Sequence, residues 1–162
     1  MNYDEPTDAD LDRLRQERKR VENPNARWTR RQMNERKDYI VHGDSGAHYK
    51  VYVRRSLYDA LHYTAGIAVV RPDGTVLTLA RYNGSHFHGS ARMTPHVHRT
   101  TARAIREGLK PECGAAPTAR YQDVEAALRC LAQDFRVDGL PGIDPDERLL
   151  LDEIEDGTDV DA

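Results

Sequence analysis

Two cysteines, Cys113 and Cys130, are all the thiol this 162-residue sequence carries. They have neither Cys-x-x-Cys spacing nor the density of a disulfide scaffold, so reduced thiols and a cytoplasmic setting are expected. Phenylalanine is as scarce, with two copies, and tryptophan scarcer, with one. No apolar run approaches the roughly 20 residues that span a bilayer, so no membrane partner is expected. The opening Met1-Asn2-Tyr3-Asp4-Glu5 is acidic, unlike the basic-then-apolar pattern of a secretory signal. No Walker loop, G-x-S-x-G elbow, H-E-x-x-H or G-x-G-x-x-G occurs, which removes most support for ATP-driven or serine-hydrolase chemistry. Lysine is rare as well: Lys19, Lys37, Lys50 and Lys110 stand beside 20 arginines. That bias fits a GC-rich genome or a salt-adapted host as well as it fits a function.

The charge present is unevenly placed. Residues 26–103 hold 13 basic against 5 acidic side chains, or +8, whereas residues 138–162 hold ten acids and Arg148, or −9. A basic body suits polyanions, because phosphate contacts release counterions without reading sequence. An acidic tail either keeps the chain soluble or masks that body until a partner displaces it.

The chain length fits one domain with tails. Thr7 can cap a polar helix running to about Glu22, broken by Asn23-Pro24-Asn25. Trp28 sits among Arg27, Arg30 and Arg31, where it either stacks a base or anchors its segment to the core. The middle alternates with period two. Tyr39-Ile40-Val41 precedes a turn at Gly43-Asp44-Ser45-Gly46; Tyr49, Val51 and Val53 share a face; Leu61, Tyr63, Ala65, Ile67 and Val69 repeat the pattern. Asp73-Gly74 turns the chain into Val76–Tyr82, and Asn83-Gly84 marks a second turn. Residues 122–135 are helical in period, with Val124, Ala127, Leu128, Leu131 and Phe135 on one stripe. A short amphipathic segment follows at 144–154. These features predict an α+β fold: an antiparallel meander of four to six strands, packed by the helix at 122–135, with an N-terminal helix alongside. The expected division is 1–25 as polar helix, 26–137 as core domain and 138–162 as acidic tail.

One constellation stands above background. His86-Phe87-His88 is followed closely by His96-Val97-His98, and residues i and i+2 of a strand point to one face. Two such doublets on neighbouring strands would face four imidazoles toward one patch. Three uses remain open. The imidazoles of His86, His88, His96 and His98 can ligate zinc or another divalent transition metal, although no acidic residue lies between Asp73 and Glu107 to complete a mixed site. Alternatively, they can move protons on a phosphodiester with no cofactor, with Arg81 and Arg99 clamping phosphate and Tyr82 as an orienter. The third use is a solvated polar face. His42, His48 and His62 are scattered and read as surface or strand-packing residues.

Leu79-Ala80-Arg81-Tyr82-Asn83-Gly84, with the two doublets after it, resembles an uncharacterised group of small prokaryotic proteins found in places beside toxin–antitoxin genes. Asp123–Leu131 approximates that group's closing helix. The sequence departs from it around residues 99–120, where a strand would continue from the second doublet and residues 100–106 read as helix instead. The resemblance implies a toxin-like endoribonuclease or an RNA-binding relative, with RNA and an antitoxin-like protein as partners. The other readings are a His-liganded metal protein and a non-enzymatic protein whose tail masks its own basic face.

Overall fold

The computed structural model describes residues 1–88 and 91–142, with backbone alone for residues 87, 88, 91 and 92. Helix α1 (Asp8–Gln16) begins in a capping box: Thr7 Oγ1 accepts from the Asp10 amide and Asp10 Oδ2 from the Thr7 amide. It stops well short of Glu22 because tertiary contacts override local helical period. Glu17 turns extended and accepts from the Ser45 amide at 2.5 Å and from the Tyr49 hydroxyl. The chain then re-enters as strand β1 (Lys19–Val21).

The central elements are β3 (Asn34–Gly43), β4 (His48–Ser56), β5 (Tyr63–Val70) and β6 (Val76–Asn83), a sequential antiparallel meander as expected. The sheet is larger than four to six strands. β2 (Thr29–Arg31) pairs with β3; β9 (His96–Arg99) and β10 (Ala115–Pro117) extend the β6 side; and β1 and β11 (Val137–Asp138) extend the other. Among the described residues, nine strands form this mostly antiparallel sheet, with β1–β11 parallel, and β7 (Phe87–His88) and β8 (Ala91–Arg92) form a separate two-stranded ribbon. The added strands are two to four residues long, too short for periodicity to register.

Helix α3 (Val124–Phe135) starts at Asp123, whose side chain accepts from the Ala126 amide. It packs across β4, β5 and β6 and touches α1. Val124, Ala127, Leu131 and Phe135 are buried, and Leu128 is partly so. Facing them are Tyr39, Val41, Tyr49, Val51, Val53, Ala65, Ile67, Val69, Leu77 and Tyr82. Each buried aliphatic side chain of this set contributes about 1.5–3 kcal/mol. A short helix α2 (Ala102–Arg106) follows β9, capped by Thr101. Trp28 packs at the edge of the core between Lys37 and Arg55, their cations 4.8 and 3.9 Å from its ring, which makes it an anchor. Lys19, 2% exposed, donates to the Phe135, Glu17 and Arg15 carbonyls and so ties the ends of α1 and α3 together.

The folded body runs past the boundary at 137: Asp138 lies in β11 and Leu140 is buried in the core. The segment at 144–154 lies outside the described residues. Among the described residues no helix is long and apolar enough to cross a membrane.

Candidate functional site

A β-bulge decides which side chains meet. Ile67 pairs with Ala80 but Ala68 pairs with Thr78, so Leu79 is the extra residue in β6. An extra residue reverses the alternation beyond it. Ala80 and Tyr82 therefore join the core, whereas Thr78, Arg81 and Asn83 face away from α3. Strand β9 continues the row: Arg81 pairs with His98, Asn83 with His96 and Tyr82 with Val97. Val97 joins the core, and His96 and His98 share the face that α3 leaves uncovered.

The two doublets do not sit opposite each other. After Asn83 the chain leaves the sheet, and Phe87 and His88 pair instead with Arg92 and Ala91. The ring of His86 still returns to the sheet. Its centroid is 5.0 Å from that of His96, which is 5.0 Å from that of His98. His62, which stands apart from both doublets in the sequence, stacks on His86 at 5.7 Å. The side chain of His88 lies outside the described residues.

Backbone carbonyls orient the rings. Nδ1 of His86 faces Gly84 O at 3.4 Å, Nδ1 of His96 faces Thr94 O at 2.8 Å, and Nδ1 of His98 faces Glu112 O at 3.1 Å. A carbonyl only accepts, so each Nδ1 carries the proton and each neutral ring keeps its lone pair on Nε2. The His96 Nε2 is 3.5 Å from Asn83 Nδ2. The Thr64 hydroxyl donates to Asn83 Oδ1 at 2.9 Å, turning the Asn83 amide toward His96. From the core side, Tyr121 donates to the carbonyls of Asn83 and His96, tying β6 to β9 where they part. Burial lowers the His98 pKa, and the charges of Arg81 and His96 lower it further.

A carboxylate enters from outside the sheet. Glu112, 5% exposed, lies 3.5 Å from Arg81 Nε and 3.4 Å from Lys110 Nζ. The Arg81 contact is an ion pair out of line for a hydrogen bond, since Arg81 Nε has no hydrogen-bonding partner among the described residues. Farther along the same face, Tyr52 lies so close over Gly66 that a Cβ there would collide with its ring. The guanidinium of Arg36 stacks on Tyr52 at 4.3 Å. Lys50 and Arg54 alternate with Tyr52 and are exposed. This face therefore joins a row of imidazoles to an aromatic and several cations.

Tyr82 and Arg99, expected as orienter and phosphate clamp, lie on the other face. Both bind Asp134 of α3: Tyr82 donates to Oδ2 at 2.5 Å, Arg99 Nη2 at 3.2 Å, and Arg120 binds both carboxylate oxygens at 2.8 and 3.0 Å. Burial pushes the Asp134 carboxyl up, but donors from Arg120 and Tyr82 and the charges of Arg120 and Arg99 outweigh it, leaving the pKa lowered. Burial and Asp134 together push the Tyr82 hydroxyl far up. Among the described residues, no three His, Cys, Asp or Glu side chains are grouped so as to hold a metal ion. Cys113 is exposed and Cys130 buried, both as free thiols.

Comparison with family models, curated proteins and solved structures finds no match.

Proposed function

We propose that the uncovered sheet face binds single-stranded RNA and that the row His86–His96–His98 cleaves it by acid–base catalysis. The observation that carries this reading is the row itself: three imidazoles at 5.0 Å steps beside Arg81, with every Nδ1 on a backbone carbonyl. In this scheme His98 Nε2 takes the proton of a ribose 2′-hydroxyl. Its lowered pKa keeps it in the neutral form that a base requires near pH 7. The 2′-oxygen attacks the neighbouring phosphorus, and the bond from phosphorus to the 5′-oxygen breaks. His86, entering protonated, gives its proton to the departing 5′-oxygen. Arg81 stabilises the charge on the pentacoordinate phosphate. His96, 4% exposed and held on both nitrogens, is a positioning residue between the two.

The cations and aromatic of the face support binding of the strand. Arg36, Lys50 and Arg54 would follow the phosphates and Tyr52 would stack a base, a combination tolerant of sequence. A toxin-like role would add an antitoxin-like protein that occludes this face.

The test is incubation of the full chain, purified without a polyhistidine tag, with end-labelled single-stranded RNA in a chelator. Cleavage leaving 2′,3′-cyclic phosphates is expected, falling about 10²–10⁴-fold in His98→Ala and His86→Ala. Wild-type rates in both variants would remove the histidines from the mechanism, and binding without cleavage would reduce the reading to an RNA-binding face.

A further inference from the structure

A second histidine pair lies far from the row. His42 at the end of β3 and His48 at the start of β4 are direct cross-strand partners flanking the Asp44-Ser45-Gly46 turn. Their rings meet edge to face with Nδ1 3.1 Å from Nδ1. The His42 Nε2 is 3.5 Å from Glu22 Oε1, and the His42 and Glu22 side chains are about half exposed, so the pair is open to solvent.

The hairpin that presents them is fixed at several points. The Gly43 amide donates to Ala47 O at 2.8 Å, and the Asp44 amide to Arg18 O at 3.0 Å. The Ser45 amide donates to the Glu17 carboxylate, which lies against Gly43 where a Cβ would have to displace it. Ordering this geometry for a ligand therefore costs little.

We infer that His42 and His48 chelate a divalent transition-metal ion of octahedral or tetragonal preference, Ni2+ or Cu2+, with Glu22 as the carboxylate that orients His42. Two nitrogens 3.1 Å apart, each about 2.1 Å from one ion, subtend about 95°. That angle matches neighbouring positions of an octahedron or a square plane, whereas tetrahedral zinc would need the nitrogens farther apart. The Glu22 carboxylate, 3.5 Å from His42 Nε2, favours the proton on that nitrogen by its charge and leaves the His42 Nδ1 lone pair for the ion; a carboxylate behind a ligating histidine is a common supporting arrangement. Without an ion, His48 donates its Nδ1 proton to His42 Nδ1. Binding moves that proton to His48 Nε2, so the ring stays neutral and supplies its Nδ1 lone pair. Water completes the coordination. Arg20, which pairs with His42 from β1, is the nearest cation in the same register row and sets an upper limit on affinity through its charge.

Titration of the untagged full chain with NiCl2 and CuCl2, followed by calorimetry and by the electron paramagnetic resonance spectrum of the copper form, tests the site. One bound equivalent with two coupled nitrogens is expected. Affinity should drop at least tenfold in His42→Gln and in His48→Gln, and about 10–100-fold in Glu22→Gln. His96→Gln should leave it unchanged, and all four side chains can be replaced with the fold checked by circular dichroism. Binding that survives His42→Gln and His48→Gln but is lost in His96→Gln would place the ion in the other cluster and overturn the inference, as would no binding at all. Absence of binding would leave RNA cleavage by the His86–His96–His98 row untouched, whereas an ion held by His96 would also count against metal-free cleavage there.

Discussion

Arg81 Nε lies 3.5 Å from Glu112 Oε1, and the carboxylate that makes this pair arrives on a loop rather than from the neighbouring strands. The guanidinium proposed to meet phosphate is thus held against an internal anion until a ligand competes for it. Glu112→Gln would leave Arg81 and Lys110 without their partner. A fully buried pair would lose about 3–5 kcal/mol; because Arg81 and Lys110 are partly exposed, the expected loss in denaturant unfolding is smaller, about 1–2 kcal/mol. RNA affinity at low salt should rise in the same variant, and the slope of log affinity against log salt should steepen by about one charge. An unchanged slope would show that Arg81 does not meet phosphate.

His98 should titrate below the ordinary imidazole range, since burial and then the charge of Arg81 disfavour its protonated form. The folded protein therefore binds fewer protons at His98 than the unfolded chain does. That makes stability fall as pH drops from about 6.5 through the folded pKa. Proton NMR of the ring Cε1–H reports the midpoint directly. Arg81→Gln should raise it, yet leave it under the ordinary value because burial remains. A midpoint above 6.5 in the wild type would contradict this electrostatic account.

The two arginines named from the sequence should part company. Arg81→Ala should weaken RNA binding and cleavage at least tenfold. Arg99→Ala should leave both near wild type and instead reduce stability by about 1 kcal/mol, because its exposed guanidinium serves Asp134 on the far side of the sheet. Equal losses of RNA binding in the two variants would refute the division of faces.

Asp134 supplies the matching acid-stability prediction. Its carboxyl is held below the ordinary range, so its contribution is complete above about pH 4 and is lost as pH falls toward the folded pKa. Asp134→Asn should cost about 2–4 kcal/mol at pH 7, as three donors lose a charged acceptor. It should also flatten the decline in stability between pH 5 and pH 2. Parallel curves for variant and wild type would exclude Asp134 as the titrating group.

The long elements were legible because most carry one periodicity over many residues: β3 to β5 alternate, and Val124 to Phe135 follows a helical stripe. The composition of the site was less legible, for three physical reasons. The bulge at Leu79 reverses alternation, so Arg81 and Tyr82, adjacent in sequence and both drawn toward the histidines, end on opposite faces. Glu112 reaches Arg81 through loop conformation, which no spacing rule encodes. His62 stands alone in sequence and reaches His86 only because β5 and β6 are neighbours in the sheet. The pairing of His42 with His48 did have a signal. Two histidines on either side of the Gly43–Ala47 turn segment become cross-strand partners once the turn is recognised.

The proposed cleavage requires a 2′-hydroxyl beside the scissile phosphate. Its most direct measurement employs an oligodeoxynucleotide carrying one ribonucleotide, incubated with the full chain and resolved by mass. A single cut on the 3′ side of the ribonucleotide is expected, with a cyclic phosphate on one product and a free 5′-hydroxyl on the other. Cuts at deoxynucleotides, or an intact strand bound to the protein, would contradict it.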